Sequence, residues 1–275
     1  MASSDAKSPG LFDLRIPPAP RTGWLIGAGA VGMIFALWFL ATFGATPEQR
    51  WVSPVILPSP VEVARSFKPL WFERGLLDSI IATLRRVLAG FGLAIIIGVP
   101  LGIAAGSWRV LEAAVMPVAL FARNIPVAAL IPLTILWFGI EETQKVMFIF
   151  IACVPFVYSD SVHAVTSVPD RYVETATTLG ASRWQVIRKV LVPLALPDIY
   201  KSLRSLFGLA FGYIMLAELI NAEHGLGYLL STSQRRGMSE HIILILIVIG
   251  ALAYGIDRFL GWVQHGLFPY REDSD

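Results

Sequence analysis

Two runs in this chain carry no charge over 21 residues: Gly23–Phe43, and Val87–Ser107 between Arg85-Arg86 and Arg109. In helical form, about 20 apolar residues rising about 1.5 Å each cross the roughly 30 Å of a bilayer's hydrocarbon. Four further runs share this character. Val115–Gly139 is apolar except for Arg123-Asn124, and Val146–Val168 has to accommodate Asp160 and His163. Leu203–Ala222 contains Glu218, and Ile242–Trp262 has Asp257 and Arg258 near its end. A soluble globule of 275 residues cannot hide so much apolar surface. The charged share, 15%, is well below the roughly 25% of soluble domains. The expectation is an all-α membrane protein of six transmembrane helices, at about 23–43, 87–107, 115–139, 146–168, 203–222 and 242–262, between polar tails 1–22 and 263–275.

Several functions are excluded by the same residues. A net charge of +2 gives no basic field for nucleic acid. The lone Cys153 rules out an internal disulfide framework and a multi-cysteine metal site, and His163, His224, His241 and His265 show no ligand spacing. No nucleophile–base pair stands out, so neither an enzyme nor a bound cofactor is expected. Gly27-Ala28-Gly29-Ala30-Val31-Gly32 fits the dinucleotide fingerprint Gly-x-Gly-x-x-Gly. That fingerprint needs a strand before it and an amphipathic helix after it. Here only Trp24–Ile26 precede, and Met33–Phe43 has no polar face. These are small residues of a membrane helix.

The tail before the first run holds Lys7, Arg15 and Arg21. It resembles the basic region of a secretory signal, but the apolar run after it is too long for one, so an uncleaved anchor is expected. Between the first two runs, Ser59-Pro60-Val61-Glu62 reads as a capped helix start, and Val63, Phe67 and Trp71-Phe72 as the apolar side of a short interfacial helix. Gly98-x3-Gly102-x3-Gly106 and Gly208-x3-Gly212 set small residues on one helical face, for packing within the chain or against a second copy. Pro100, Pro117, Pro126, Pro132 and Pro155 are expected to kink spans. Ionisable groups inside spans are costly, which makes Arg123, with its neighbour Asn124, and Glu218 candidates for a solute pathway or for structural pairing.

Residues 169–193 are the most informative stretch. Asp170 is placed to cap a helix of about nine residues, which Gly180 ends as a left-handed residue. Ser182 with Gln185 forms a second capping box, and Pro193 is expected to stop the second helix. A helix–turn–helix outside the bilayer results.

Its pattern, Glu174-Thr175-Ala176, three residues, Gly180, nine residues, Val190, one residue, Val192-Pro193, resembles the EAA loop of bacterial ABC-importer permeases, departing from it at Thr175, Val190 and Val192. Leu57-Pro58-Ser59-Pro60, Trp137-Phe138-Gly139-Ile140 with Glu142-Thr143, Leu179-Gly180-Ala181-Ser182, Ala217-Glu218 and Gly225-Leu226-Gly227 are similar to the nitrate/taurine/aliphatic-sulfonate permeases, whereas Arg123-Asn124-Ile125-Pro126 departs from them. The resemblance implies a type I ABC-importer permease fold, methionine-importer-like, in the bacterial cytoplasmic membrane with both termini inside. Residues 44–79 and 223–241 then lie outside. Glu174, Ala176 and Gly180, aided by Arg171 and Arg183, would form the cytoplasmic coupling helix's contact with an ATPase. Implied partners are two cytoplasmic ATPase subunits, a periplasmic or lipid-anchored binding protein and a second permease copy. ATP and magnesium would be used by the ATPase alone, and indeed no Gly-x4-Gly-Lys-Ser/Thr loop occurs here. The implied cargo is a small anion such as taurine, an alkanesulfonate, nitrate or bicarbonate. An ion-coupled secondary transporter is the alternative, although it normally shows internal repeats and midplane carboxylates.

Overall fold

The computed structural model describes residues 19–44, 49–220 and 222–269. The tail 1–22 therefore lies mostly outside the described residues, with its basic groups Lys7 and Arg15. So does the end of the tail 263–275. Among the described residues every regular element is helical. They are α1 (Pro20–Ala41), α2 (Pro60–Arg65), α3 (Phe67–Phe72), α4 (Leu76–Ser107), α5 (Arg109–Arg123), α6 (Leu130–Phe138), α7 (Glu142–Thr166), α8 (Asp170–Thr178), α9 (Arg183–Val186), α10 (Val192–Leu219), α11 (Leu226–Arg235) and α12 (Ser239–Leu267). Among the described residues five stretches are long and apolar enough to cross a membrane, α1, α4, α7, the continuous Arg183–Leu219 and α12, or six with the bent pair Arg109–Arg123 and Val127–Phe138 taken as one span.

The third expected span is not one helix. It is α5, a short 3-10 turn over Val127–Ala129, and α6, bent by 91°. Pro126 has no N–H to continue the ladder and excludes helical backbone at Ile125. The Asn124 side chain completes the stop by donating to Leu120 O at 2.7 Å. Conversely, Pro193 does not end a helix. A π-turn over Ile187–Leu191 precedes it, and the helix runs on into α10. The wider turn makes room for the proline ring where an unbroken α-ladder would clash with it. Asp170 is likewise not a cap: Pro169 holds that position and Asp170 opens α8, where its charge suits the helix dipole.

α4 and α7 form the centre and run parallel. Gly90 faces Val146 and Ile149, Gly98 faces Val157, Gly102 faces Ser161, and Gly106 faces Val165. At Gly102 a Cβ would stand 2.5 Å from that of Ser161, so the backbones meet where only glycine fits. Gly208 and Gly212 on α10 face open space. α10 runs antiparallel across the pair, its Phe207 edge-on to Phe91 at 5.6 Å, and Phe148, Ile149 and Ile214 fill the core.

α1 has no buried residue in its apolar window; Trp38 Nε1 donates to Pro58 O at 2.9 Å where the chain leaves it. Gly27, Gly29 and Gly32 sit inside this continuous helix. The interfacial helix is split in two at Ser66, α2 burying Val63 and α3 Leu70. Ser59 and Glu62 form the expected capping box. Glu62 also receives Arg50 at 3.0 and 3.1 Å, and that guanidinium, aided by Ser59, holds its carboxyl down to about 2.

Candidate functional site

The bundle has two ends with different chemistry. At one, α8 and α9 project as a loop between α7 and the π-turn. Gly180 has φ +82°, a conformation that any Cβ strains. Its N–H reaches Thr177 O at 2.9 Å, and that of Ala181 reaches Ala176 O at 3.0 Å, the paired bonds of a Schellman ending. Thr175, Thr177 and Thr178 turn their hydroxyls onto α8's own carbonyls, and Ser182 and Gln185 cap α9 reciprocally. The segment is thus internally satisfied. Nevertheless α8 buries none of its residues: Arg171 and Glu174 are exposed, Ala176 is half-buried, and Arg183 is exposed on α9. Two apolar side chains stand out with them, Leu179 at 82% exposure and Trp184 at 70%. A rigid, self-capped element that offers apolar and charged side chains together is built for contact with another surface.

At the opposite end lies a buried charge network. Glu218, near the end of α10, has no exposed surface. Its carboxylate accepts from Arg86 Nη1 at 2.7 Å, from the Thr83 hydroxyl at 2.9 Å and from the Gly227 N–H at 2.9 Å. Thr83 Oγ1 in turn accepts the Leu226 N–H at 3.0 Å. Arg86 also donates to Glu142, at 2.5 and 2.6 Å, and to His224 O at 2.6 Å. A Cβ on Gly227 would stand 2.7 Å from that of Glu218, so the turn before α11 is pressed onto the carboxylate. Glu218 is fully buried, and with Arg86 and Glu142 it ties α4, α7, α10 and α11 together.

Arg123 does not meet Glu218. It ends α5 at the break, 3.7 Å from Asp160 of α7, with its guanidinium 4.8 Å above the Phe156 ring. Both charged side chains are about one-third exposed, at 33% and 31%, so this pair, unlike Glu218, is not sealed within the chain. Asn124 serves as the helix stop beside it. Sequence reasoning missed Arg86 as Glu218's partner, having read Arg85-Arg86 as the edge of a span. The buried positions of α4, Leu76, Ser79, Thr83, Arg86 and Gly90, recur at helical spacing and select Arg86 over Arg85. It also missed Arg204, which lies inside the fifth span and grips Asp257 of α12 through two bonds, at 2.6 and 2.7 Å. No group of His, Cys, Asp or Glu among the described residues can hold a metal ion.

Known proteins resemble this chain in sequence and in fold. The family described as "Binding-protein-dependent transport system inner membrane component" matches residues 98–267. The taurine transport system permease protein TauC of Escherichia coli (strain K12) is 29% identical over 251 residues, covering 89% of each chain. The bicarbonate transport system permease protein CmpB of Synechococcus elongatus is 31% identical over 243 residues, covering 86% of each. Among solved structures, the MetNI methionine ABC transporter in an inward-facing conformation superposes with a TM-score of 0.65 at 21% identity, over 73% of this chain and 98% of that one. That likeness gives the all-α fold of type I ABC-importer permeases.

Proposed function

The chain belongs to the binding-protein-dependent transport system inner membrane component family, and on that premise we propose how its parts serve transport. It is a multi-pass membrane protein and the permease subunit of an ABC importer, not an enzyme; a separate subunit hydrolyses ATP, using magnesium. The ATPase subunit docks on residues 170–185, with Glu174, Ala176 and Gly180 at the centre of the contact and Arg171 and Arg183 beside them. One observation carries this reading: α8 is ordered by its own capping bonds, yet buries none of its residues.

That end of the bundle is then cytoplasmic, as are both termini. Residues 44–79 and 223–241 lie on the outer face, where a periplasmic or lipid-anchored binding protein delivers the solute. Two copies of the chain form the path, each with one ATPase. The open faces of Gly208 and Gly212, and the bare circumference of α1, supply apolar surface for a second copy. The solute is a small anion of the sulfonate, nitrate or bicarbonate class. The taurine and bicarbonate relatives support that class, and Arg123, exposed at the broken span beside Asp160, supplies a cation on the path.

Affinity purification of the tagged chain from its native membrane, in mild detergent and with mass spectrometry of the co-purifying proteins, tests the proposal. A soluble subunit bearing a phosphate loop, at one per copy of this chain, supports it. Repeated recovery of the folded chain alone refutes it.

A further inference from the structure

α4 and α5 are joined by a single residue, Trp108, in extended backbone at φ −122° and ψ 107°. Its indole meets that of Trp184 edge-to-face, with centroids 5.4 Å apart and ring planes at 80°. Trp184 is otherwise bare at 70% exposure, on a helix of only four residues. α9 is held to the bundle by its buried Val186 and in two further ways. One is covalent, through the π-turn into α10. The other is this ring contact, which reaches a corner 76 residues earlier in the chain.

The two connections lead to different elements. The helix runs on through the π-turn, so a tilt of α9 passes directly into α10. The ring contact leads instead to Trp108, the one extended residue between α4 and the first residue of α5. α5 then runs 15 residues to Arg123 and the 91° break. Two large aromatic side chains, each with only two rotatable bonds, resist displacement better than flexible ones, and their edge-to-face contact is directional.

We propose that Trp108 and Trp184 are positioning residues that pass displacement of the loop 170–186 to the α4–α5 corner, and so to the broken span carrying Arg123. This rests on the reading that an ATPase subunit docks on that loop.

The test uses the complex purified through the tagged chain, with a nitroxide on a cysteine introduced at Leu120 of α5 or, separately, at Leu209 of α10. Both sites are exposed, whereas native Cys153 is 2% exposed and stays unlabelled. Spectra are compared without nucleotide and with MgATP plus vanadate. Trp184→Ala and Trp108→Ala are expected to cut the responding fraction of the α5 label about three- to tenfold, the range that the loss of one edge-to-face pair permits. In Trp108→Ala, which lies outside the docking segment, the α10 label keeps its response and ATPase retention and hydrolysis persist, and Trp184→Phe retains the α5 signal. An unchanged α5 response in Trp108→Ala, or equal loss at both labels in that variant, overturns the proposal. If no ATPase co-purifies with the wild-type chain, the docking reading falls first and takes this proposal with it, an outcome distinct from either.

Discussion

Replacing Arg86 by Met isolates what the buried network contributes. The substitution keeps an apolar stem of similar length but removes the guanidinium facing Glu218, which has no exposed surface. Arg86 makes two kinds of ion pair, and they are worth different amounts. The bonds to Glu142 reach a carboxylate whose side chain is 67% exposed, so water and salt screen them to about 0–1 kcal/mol. The bond to Glu218 is fully desolvated, and removing one partner of such a pair strands the other charge at a cost of about 3–5 kcal/mol. Arg86→Met should therefore lose about 3–5 kcal/mol. Glu218→Gln alone should lose only about 1–3 kcal/mol, since Arg86 keeps Glu142 as a counter-ion and the amide can still accept from Thr83 and Gly227. The double variant leaves no stranded charge, so it should be more stable than Arg86→Met itself.

The assay is reversible unfolding in mixed micelles titrated with a denaturing detergent, tracked by the fluorescence of the eight tryptophans. A single-variant loss below about 1 kcal/mol for Arg86→Met would refute the assignment. So would a double variant whose loss equals the sum of the two singles within about 0.5 kcal/mol, because that describes independent side chains.

Gly180→Val should leave membrane insertion intact while abolishing co-purification of the ATPase: the site has φ +82° and open space around it, so only the Schellman turn is disturbed. Gly102→Val should instead prevent stable folding, seen as loss of the monodisperse peak in detergent, because its Cβ meets Ser161 at 2.5 Å and Tyr158 O at 2.7 Å. Arg123→Ala should lower uptake of the transported anion in proteoliposomes several-fold, yet change unfolding by less than about 1 kcal/mol, since its pair with Asp160 is partly exposed. The Arg50–Glu62 contact should be insensitive to pH from neutrality down to about 5. Glu62's carboxyl is held at about 2, below the unfolded range near 4.3, so the stabilisation is complete above that range and is lost as pH falls through the folded value. Proteolysis between α1 and α2 against pH, with and without Glu62→Gln, measures this.

The parts of this molecule that sequence reasoning reached are those whose signals are local. Ser182 and Gln185 are three residues apart, and Gly180 ends a nine-residue helix, so the loop 170–185 is written in neighbouring positions. Ser59 with Glu62 is the same case. Its failures have a common physical origin. Pro126 and Pro193 present the same local chemistry, a missing N–H and a ring against the preceding turn. One nevertheless accompanies a 91° break and the other lies within a continuous helix. What separates them is context: Asn124 caps Leu120 O before Pro126, while a π-turn opens ahead of Pro193. The ion pairs lie further still from any local rule. Arg86 meets partners 56 and 132 residues away, and Arg204 meets Asp257 across 53 residues. An isolated charge in an apolar run announces only that a partner is needed, not which one. Glu218 and Arg123 were both visible as costly groups, but only the packing of α4 against α7 and α10 separates a carboxylate sealed among helices from a guanidinium left open at a break. That separation assigns the first to holding the bundle together and leaves the second partly exposed beside Asp160, the property that the uptake of Arg123→Ala puts to the test.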